Sequence, residues 1–481
     1  MKKNITLLAA TVFLGMGAFC QNVSIPDANF KAYLLANTSI NTNLDTEIQI
    51  SEATVFNGTI ECPYLNISDL TGIEAFTSLT NLSCYFNQIS SIDVSNNTAL
   101  EWLNVNGNQL TSLDISANQN LTFLACSENQ LSTLDVSNNS NLTALYCAFN
   151  SLNSLDISSL IDLVTLQCQV NQLSSLSLSN NTILAELSCY DNTLSSIDIS
   201  NLNQLNFLDC GNNQLATLDV SNSSQLYYLN CGYNQLTDID VSNNSSLNYF
   251  YCSNNQLTNI DVSNNLILSE FMCSNNQLTA LDVTNNVALT DLRCEYNQLT
   301  ELNLSNNTSI YRLICTNNQI DSLDLSDHSL LTWFQGSVNQ LTYLNAKNGF
   351  NTNYTVFEVY NNPSLECIEV DDAVYSQANW TIIDAASVFS EDCSTLGMAD
   401  NGQIIDVLVS PNPSNGSFTV SSEKGIRTIR VYDISGQLIH FENNLSSKSI
   451  QMEVNLDPGM YLLQMEDSNG EILFGERISI L

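Results

Sequence analysis

The stretch LTFLACSENQLSTLDVSNNSN, residues 121–141, is one copy of a unit that returns every 21 residues, and its Asn129 belongs to an unbroken series of thirteen asparagines from Asn87 to Asn339. A fixed period of that length means stacked copies of one structural unit. Leu121, Leu124, Cys126, Asn129 and Leu131 follow LxxLxCxxNxL, and Leu134 to Asn138 complete the unit as LDVSN. The alternation Leu124, Ala125, Cys126 puts two side chains on one side of a short strand and one on the other. One such strand per copy predicts parallel stacking. Leu131, Leu134 and Val136 continue inward around the coil, so no copy can bury its apolar face without a neighbour above and below. The turn after each strand would leave backbone groups inside without partners. A buried asparagine amide can bond both N–H and C=O there, which gives the series its structural reason.

The unit resembles the leucine-rich repeat, with Cys in place of the third Leu, over roughly residues 60 to 350. The copy at Cys62 is 22 residues long and carries Leu65 where the asparagine should stand, and its string LTGIEAFTSLTNL is similar to the longer repeats of internalin-type surface proteins. The resemblance implies a parallel-sheet horseshoe of 13–14 coils, and the count and spacing of apolar runs after it predict a small C-terminal β-sandwich, so the fold class is mostly β with α+β character. The expected divisions are a signal peptide at 1–20, a helical cap at 21–61, the solenoid at 62–362, a C-terminal cap and linker at 363–397, and an immunoglobulin-like domain at 398–481.

Fifteen cysteines invite a metal or disulfide reading. Eleven of them, from Cys84 through Cys126 to Cys315, fall in the inward column, where Val105 and Gly336 stand at the missing steps. A ligand position could not accept valine, whereas a small apolar slot can, and free Cys packs as a small hydrophobe. Neighbouring strands lie about 4.8 Å apart, but parallel in-register Cβ vectors do not converge as a relaxed bridge requires. Buried, reduced thiols are expected. Cys367 and Cys393 lie beyond the periodic region, and a disulfide between them is expected to seal the end of the solenoid.

Lys2 and Lys3, the apolar run Leu7 to Phe19 and the small-x-small site Ala18-Phe19-Cys20 read as a secretory signal peptide. The bulky Phe19 opposes the rival reading, lipid anchoring at Cys20. No other stretch is long and apolar enough to span a bilayer. After Pro26, residues 27 to 35 read as an amphipathic helix that shields the first coil. Asn41, Asn43, Asp45, Glu47 and Glu52 then fall at positions 1, 3, 5, 7 and 12 of an EF-hand-like loop, which makes calcium the candidate cofactor. Two departures from that pattern count against it: Asn41 replaces the expected Asp, and Thr46 replaces the turn Gly.

A net charge of −38, with no Lys or Arg between Lys31 and Arg293, excludes nucleic acid as a partner. Much of the acidity is one outward column that includes Asp93, Asp114, Asp135 and Asp240. A hydrogen-bonded turn ladder explains it; a stripe that recruits divalent cations is the sharper alternative. The two histidines, His328 and His440, have no metal-spaced companions, and the chain shows neither GxSxG nor a phosphate loop, so no enzyme is expected.

Past residue 403, short apolar runs return about every ten residues, seven strands by count. Three turn strings stand out: Pro411-Asn412-Pro413-Ser414-Asn415-Gly416, then Tyr432-Asp433-Ile434-Ser435-Gly436, then Leu456-Asp457-Pro458-Gly459-Met460-Tyr461. They resemble the C-terminal sorting domain of the bacterial type IX secretion system. That resemblance implies export across the outer membrane after periplasmic transit, removal of the domain, and release or surface attachment of the cargo; the secretion machinery is then one partner.

On the strand positions expected to line the concave face stand Trp102, Phe123, Tyr146, Phe207, Tyr228, Tyr249, Tyr251 and Trp333. Flat aromatics beside Asn, Asp and Gln suit recognition. Three readings stay open: a protein-binding module or adhesin, a polysaccharide-binding surface module, and a structural spacer without ligand.

Overall fold

Leu124 is fully buried between Phe123 and Ala125, and in register it meets Leu103 on one side and Leu145 on the other. The same pairing repeats through a 16-stranded parallel sheet, from Thr59–Glu61 to Ile382–Ile383, with one short strand per coil. The computed structural model describes residues 21–393 and, farther on, 407–410, 414, 416–433, 437–443, 445, 447–456, 459–467 and 472–480. The expected signal peptide lies outside them, as do Pro411, Asn412, Pro413 and Gly436.

Leu121, Leu124, Cys126, Leu131 and Val136 are all fully buried, and their counterparts in neighbouring coils join one continuous core. Each ladder asparagine bonds its own coil and its neighbours. Asn297 Oδ1 accepts from Leu278 N–H at 3.0 Å, and its Nδ2 donates to the carbonyls of Cys273 at 3.0 Å and Cys294 at 3.1 Å. The series runs one coil past the strict period. Asn362 takes the next place after 23 residues, accepting from Leu341 N–H at 3.1 Å, with the extra length near the short 3₁₀ turn Asn351–Asn353. This coil, the following strand Ile382–Ile383 and the early strand Thr59–Glu61 carry the sheet beyond the 13–14 coils counted from the period.

Among the described residues twelve cysteines, Cys62 among them, are buried and unpaired. Burial pushes the Cys126 thiol up to about 12, so it stays protonated and inert. Gly336 replaces Cys where the Phe334 ring lies so close that an added Cβ would meet it at 2.7 Å. The Cys367–Cys393 disulfide forms at the far end, with a Cα–Cα distance of 5.9 Å. There Trp380 stacks on Phe357 with ring centroids 4.0 Å apart, and both close over the last coil.

The first coil is closed by a helix, Ala28–Ala36, whose cap Asp27 accepts from Asn29 and Phe30 N–H and also from Ser68, while Phe30 and Leu34 go fully inside. The residues of the EF-hand-like loop lie in this region. Glu52 belongs to a second helix, Ile50–Val55, where one carboxylate oxygen accepts from Gln49 N–H and the other from Thr42 N–H, Thr42 Oγ1 and Asn43 N–H. Glu47 pairs with Lys31 at 2.8 Å. Asp45 accepts from Glu47 N–H, Gln49 Nε2 and Asn43 Nδ2. Asn41 turns its amide nitrogen to the Leu35 and Asp45 carbonyls, leaving Oδ1 without a partner among the described residues. The five side chains therefore bond within the cap rather than converge as an oxygen cage, and among the described residues no group of three acidic, His or Cys side chains is placed to hold a metal.

Burial pushes the Glu52 carboxyl up, but the bonds it receives outweigh that and hold it below its usual range. A carboxylate lowered by folding stabilises above its unfolded pKa, and that contribution is lost as pH falls through the folded value. Glu52→Gln is expected to cost about 1–3 kcal/mol at pH 7. In urea melts the gap to the parent should close as pH drops below the usual glutamate range. A gap that does not change with pH would remove the charge from the account.

The chain divides into two compact units, residues 1–393 and 394–481. In the second, the two apolar runs expected as separate strands, Phe418 to Val420 and Ile429 to Tyr432, are one strand, Ser417–Tyr432, with a register shift between Ser421 and Ile426. Four other antiparallel strands pair with it, and Ile472–Ile480 pairs with Gly459–Asp467. This makes six strands hydrogen-bonded in one sheet among the described residues, where the spacing counts seven. Phe418, Val420, Ile426, Ile429 and Val431 face a common core with Met452, Leu463 and Ile478.

Candidate functional site

In each three-residue strand the middle side chain is inside, so the two flanking it share the solvent face of the sheet. Register stacks the first of these in one column: Phe207 beside Tyr228, Tyr228 beside Tyr249, Tyr249 beside Glu270, then Asp291, Arg312 and Trp333. The eight aromatics picked from sequence fall into three groups. Trp102 and Phe123 stack with centroids 3.4 Å apart, and Tyr146 leans on Phe123 at 5.3 Å. Phe207 and Tyr228 stack at 4.4 Å, with Tyr249 at 6.2 Å and Tyr251 edge-on at 5.4 Å from Tyr228. Trp333 stands apart, over Arg312.

Several partners of these rings were missed. Tyr227, nearly half exposed, meets Tyr249 edge-on at 5.2 Å. Glu270 accepts the Tyr251 hydroxyl at 2.7 Å. Burial, then that bond, drives the Tyr251 pKa well above the ordinary tyrosine range, and burial helped by Asp209 and Glu270 takes Tyr228 up to about 12. Burial also raises the Asp209 carboxyl against the donors Gly211 N–H and Asn230. Farther along, Asp291 is nearly buried and holds Arg293 through both Nε and Nη2, at 3.1 and 2.9 Å, and Arg312 at 3.2 Å. A strand plan with one residue in two facing out could have flagged Glu270 and Arg312, since they occupy the same column as Tyr249.

The residue before each ladder asparagine is left-handed. Asn212, Asn254, Asn275 and Gly107 suit that backbone, but Phe86, Phe149, Tyr233 and Tyr296 hold it too. The Asn-Asn pairs were the sequence signal for this turn. The Asp column behaves as a turn ladder: Asp135 Oδ1, for instance, accepts from Ser137 N–H at 2.9 Å, and the Ser137 bonds hold its carboxyl below the usual range.

In the second unit, Gly416 holds a φ of +93°, and an added Cβ would meet the Val454 carbonyl at 2.6 Å. Val454 N–H donates to Gly416 O at 2.8 Å, and Ser414 bridges to Ile480. Asp433 closes its turn by accepting from Gln437 N–H at 2.9 Å. Tyr432 donates its hydroxyl to Gln464, and Tyr461, on the strand that begins at Gly459, packs against the core.

Residues 408–477 match the family described as secretion system C-terminal sorting domain. Internalin J of Listeria monocytogenes serotype 4b (strain F2365) is 36 % identical over 74 residues, which span 15 % of this chain and only 8 % of that protein. The structure of the functional domain of InlJ from Listeria monocytogenes, described as including a cysteine ladder, matches with a TM-score of 0.67 and 27 % identity over 96 % of this chain and 100 % of that one. The ectodomain of the receptor kinase GASSHO1/SCHENGEN3 from Arabidopsis thaliana, solved in complex with CASPARIAN STRIP INTEGRITY FACTOR 2, matches with a TM-score of 0.56 and 24 % identity over 65 % of this chain and 40 % of that one, and shares the fold. With the stacked short parallel strands, the buried cysteine column and the matched C-terminal unit, the chain is a leucine-rich-repeat solenoid of about 21-residue coils that carries a secretion system C-terminal sorting domain.

Proposed function

We propose that this is a type IX-exported recognition protein, secreted or displayed on the outer cell surface, that binds a protein partner through the solvent face of its parallel sheet. The observation that carries the reading is the shelf of Phe207, Tyr228, Tyr249 and Tyr251, rings in mutual contact across three adjacent strands on the sheet's solvent face. Cross-strand aromatic pairs contribute about 0.2–1 kcal/mol each to a sheet. That is too little to require them, since the same column carries Ala144 and Thr165 in other coils without loss of the strand. A contiguous apolar patch on a secreted chain is more economically explained by something that docks there. An ectodomain of the same fold solved in complex with CASPARIAN STRIP INTEGRITY FACTOR 2 supports a protein partner over a polysaccharide.

Tyr228→Ala is expected to weaken partner binding by about 2 kcal/mol or more, roughly thirtyfold, while costing the fold about 1 kcal/mol. The check is a pull-down with the mature chain beside a glycan array, each hit then titrated against Tyr228→Ala, Tyr249→Ala and the parent. Equal affinity in all three would take the shelf out of the site. Hits confined to the glycan array would replace the protein partner with a polysaccharide.

A further inference from the structure

The sheet face shows, in one place, how it holds a cation. The Arg312 guanidinium carbon lies 5.0 Å from the centroid of Trp333 and 5.7 Å from that of Tyr311, while Nη1 reaches Asp291 at 3.2 Å. Two aromatic rings and a carboxylate on neighbouring strands make that site. Three strands earlier the same ingredients recur in the same columns. Tyr227, Tyr228, Tyr249 and Tyr251 supply rings, and Glu270 stands in register beside Tyr249. Here no cation of the chain stands over the rings among the described residues: no Lys or Arg occurs between Lys31 and Arg293, and Arg293, on the strand next to Glu270 and within reach of its charge, is held by Asp291 through two nitrogens. Among the described residues Glu270 receives one side-chain hydrogen bond, from Tyr251. An aromatic face draws a cation through its quadrupole, and a carboxylate at its edge adds direct attraction.

Resting on the recognition reading above, we infer that Tyr228, Tyr249, Tyr251 and Glu270 form a receptor for a cationic side chain, arginine or lysine, presented by the protein partner. The net charge of −38 draws such a partner in from a distance, and the shelf gives that attraction a place to end. A neutral sugar would gain nothing from Glu270 as a charge.

The test must separate a built receptor from the general pull of an acidic protein on any cation. N-acetyl-arginine amide and its neutral isostere N-acetyl-citrulline amide are titrated, at 0.15 M salt, into the full mature chain with ring-labelled tyrosine, with cellohexaose as a third probe. The arginine amide should saturate the shelf tyrosine signals at least tenfold more tightly than the citrulline amide. Glu270→Gln and Tyr249→Ala should each weaken it at least tenfold. Asp240→Asn removes one charge from the exposed outer turn and should change it less than twofold. Equal binding of the citrulline amide, or equal effects of Glu270→Gln and Asp240→Asn, would overturn the cation receptor. If citrulline amide or cellohexaose binds the shelf as well as arginine amide does, recognition there survives and only its charge preference fails. If no probe moves the shelf signals, both readings fall.

Discussion

Removing residues 404–481 is expected to abolish arrival at the cell surface and leave a folded solenoid stranded in the periplasm. The two units have separate cores, one running from Val23 to Phe389 and the other from Val409 to Ile480. The Cys367–Cys393 bridge closes the solenoid before the cut. The sorting domain indicates export, and among the described residues no helix is long and apolar enough to cross a membrane. A truncated chain recovered at the surface would end that account. A full-length Gly416→Ala chain supplies a finer test. Its φ of +93° and the 2.6 Å approach to the Val454 carbonyl leave no room for a methyl group, so the pairing of Gly416 with Val454 should break and export should fall. In protein recovered from the surface, peptide mapping should find the C-terminus between about residues 393 and 406, with no peptide containing Tyr461.

The period made most of the solenoid legible. Once Leu124 and Cys126 are inward and the spacing is fixed, burial of each counterpart follows by repetition. What escaped lies where geometry overrides spacing. Glu52 sits at the twelfth place of a loop pattern, and no spacing tells that its two carboxylate oxygens take backbone and hydroxyl donors from within the cap. A liganding carboxylate and a capping carboxylate look alike in sequence. Phe418 and Ile429 fall in two separate apolar runs, which the spacing reads as two strands, but both runs pair along one strand that absorbs the irregularity as a register shift. For the shelf, columns were legible and contacts were not. Tyr228 and Tyr249 are neighbours by arithmetic, whereas the reach of Tyr251 to Glu270 depends on rotamers that no spacing encodes. The asparagine series was read as one ladder, and the coil has two.

The second ladder, on Asn97, Asn118, Asn139, Asn181, Asn244, Asn265, Asn286 and Asn307, lies wholly inside, ten residues past the first. Asn307 Nδ2 donates to the Val283 and Asn286 carbonyls at 2.9 Å each, but its Oδ1 finds no partner among the described residues. Ten residues earlier, Asn297 uses both ends of its amide: Oδ1 takes the Leu278 N–H, and Nδ2 serves the carbonyls of Cys273, Cys294 and Glu295. Substitution by leucine, close in size, should therefore separate the two. Asn297→Leu leaves the Leu278 N–H unmet and takes one bond from each of the Cys273, Cys294 and Glu295 carbonyls, which keep Asn276 Nδ2, Asn318 Nδ2 and Asn275 N–H as donors; with about 1–3 kcal/mol for the unmet group and about 1 kcal/mol for each lost bond, the expected loss is about 3–5 kcal/mol. Asn307→Leu also removes an unpaired buried oxygen, which offsets the two lost bonds, and its column already holds Leu160 and Leu202 fully buried. Its cost should be about 1 kcal/mol. Urea denaturation of both variants, with hydrogen exchange at the Leu278 amide, measures the difference, and exchange there should quicken in Asn297→Leu alone. Equal destabilisation would mean that the two ladders contribute alike and that the count of satisfied amide groups does not set the stability of a coil. The absence of any exception between Asn87 and Asn339 in the first column, against leucine, serine and histidine in the second, is what this inequality predicts for a chain that can relax one ladder and not the other.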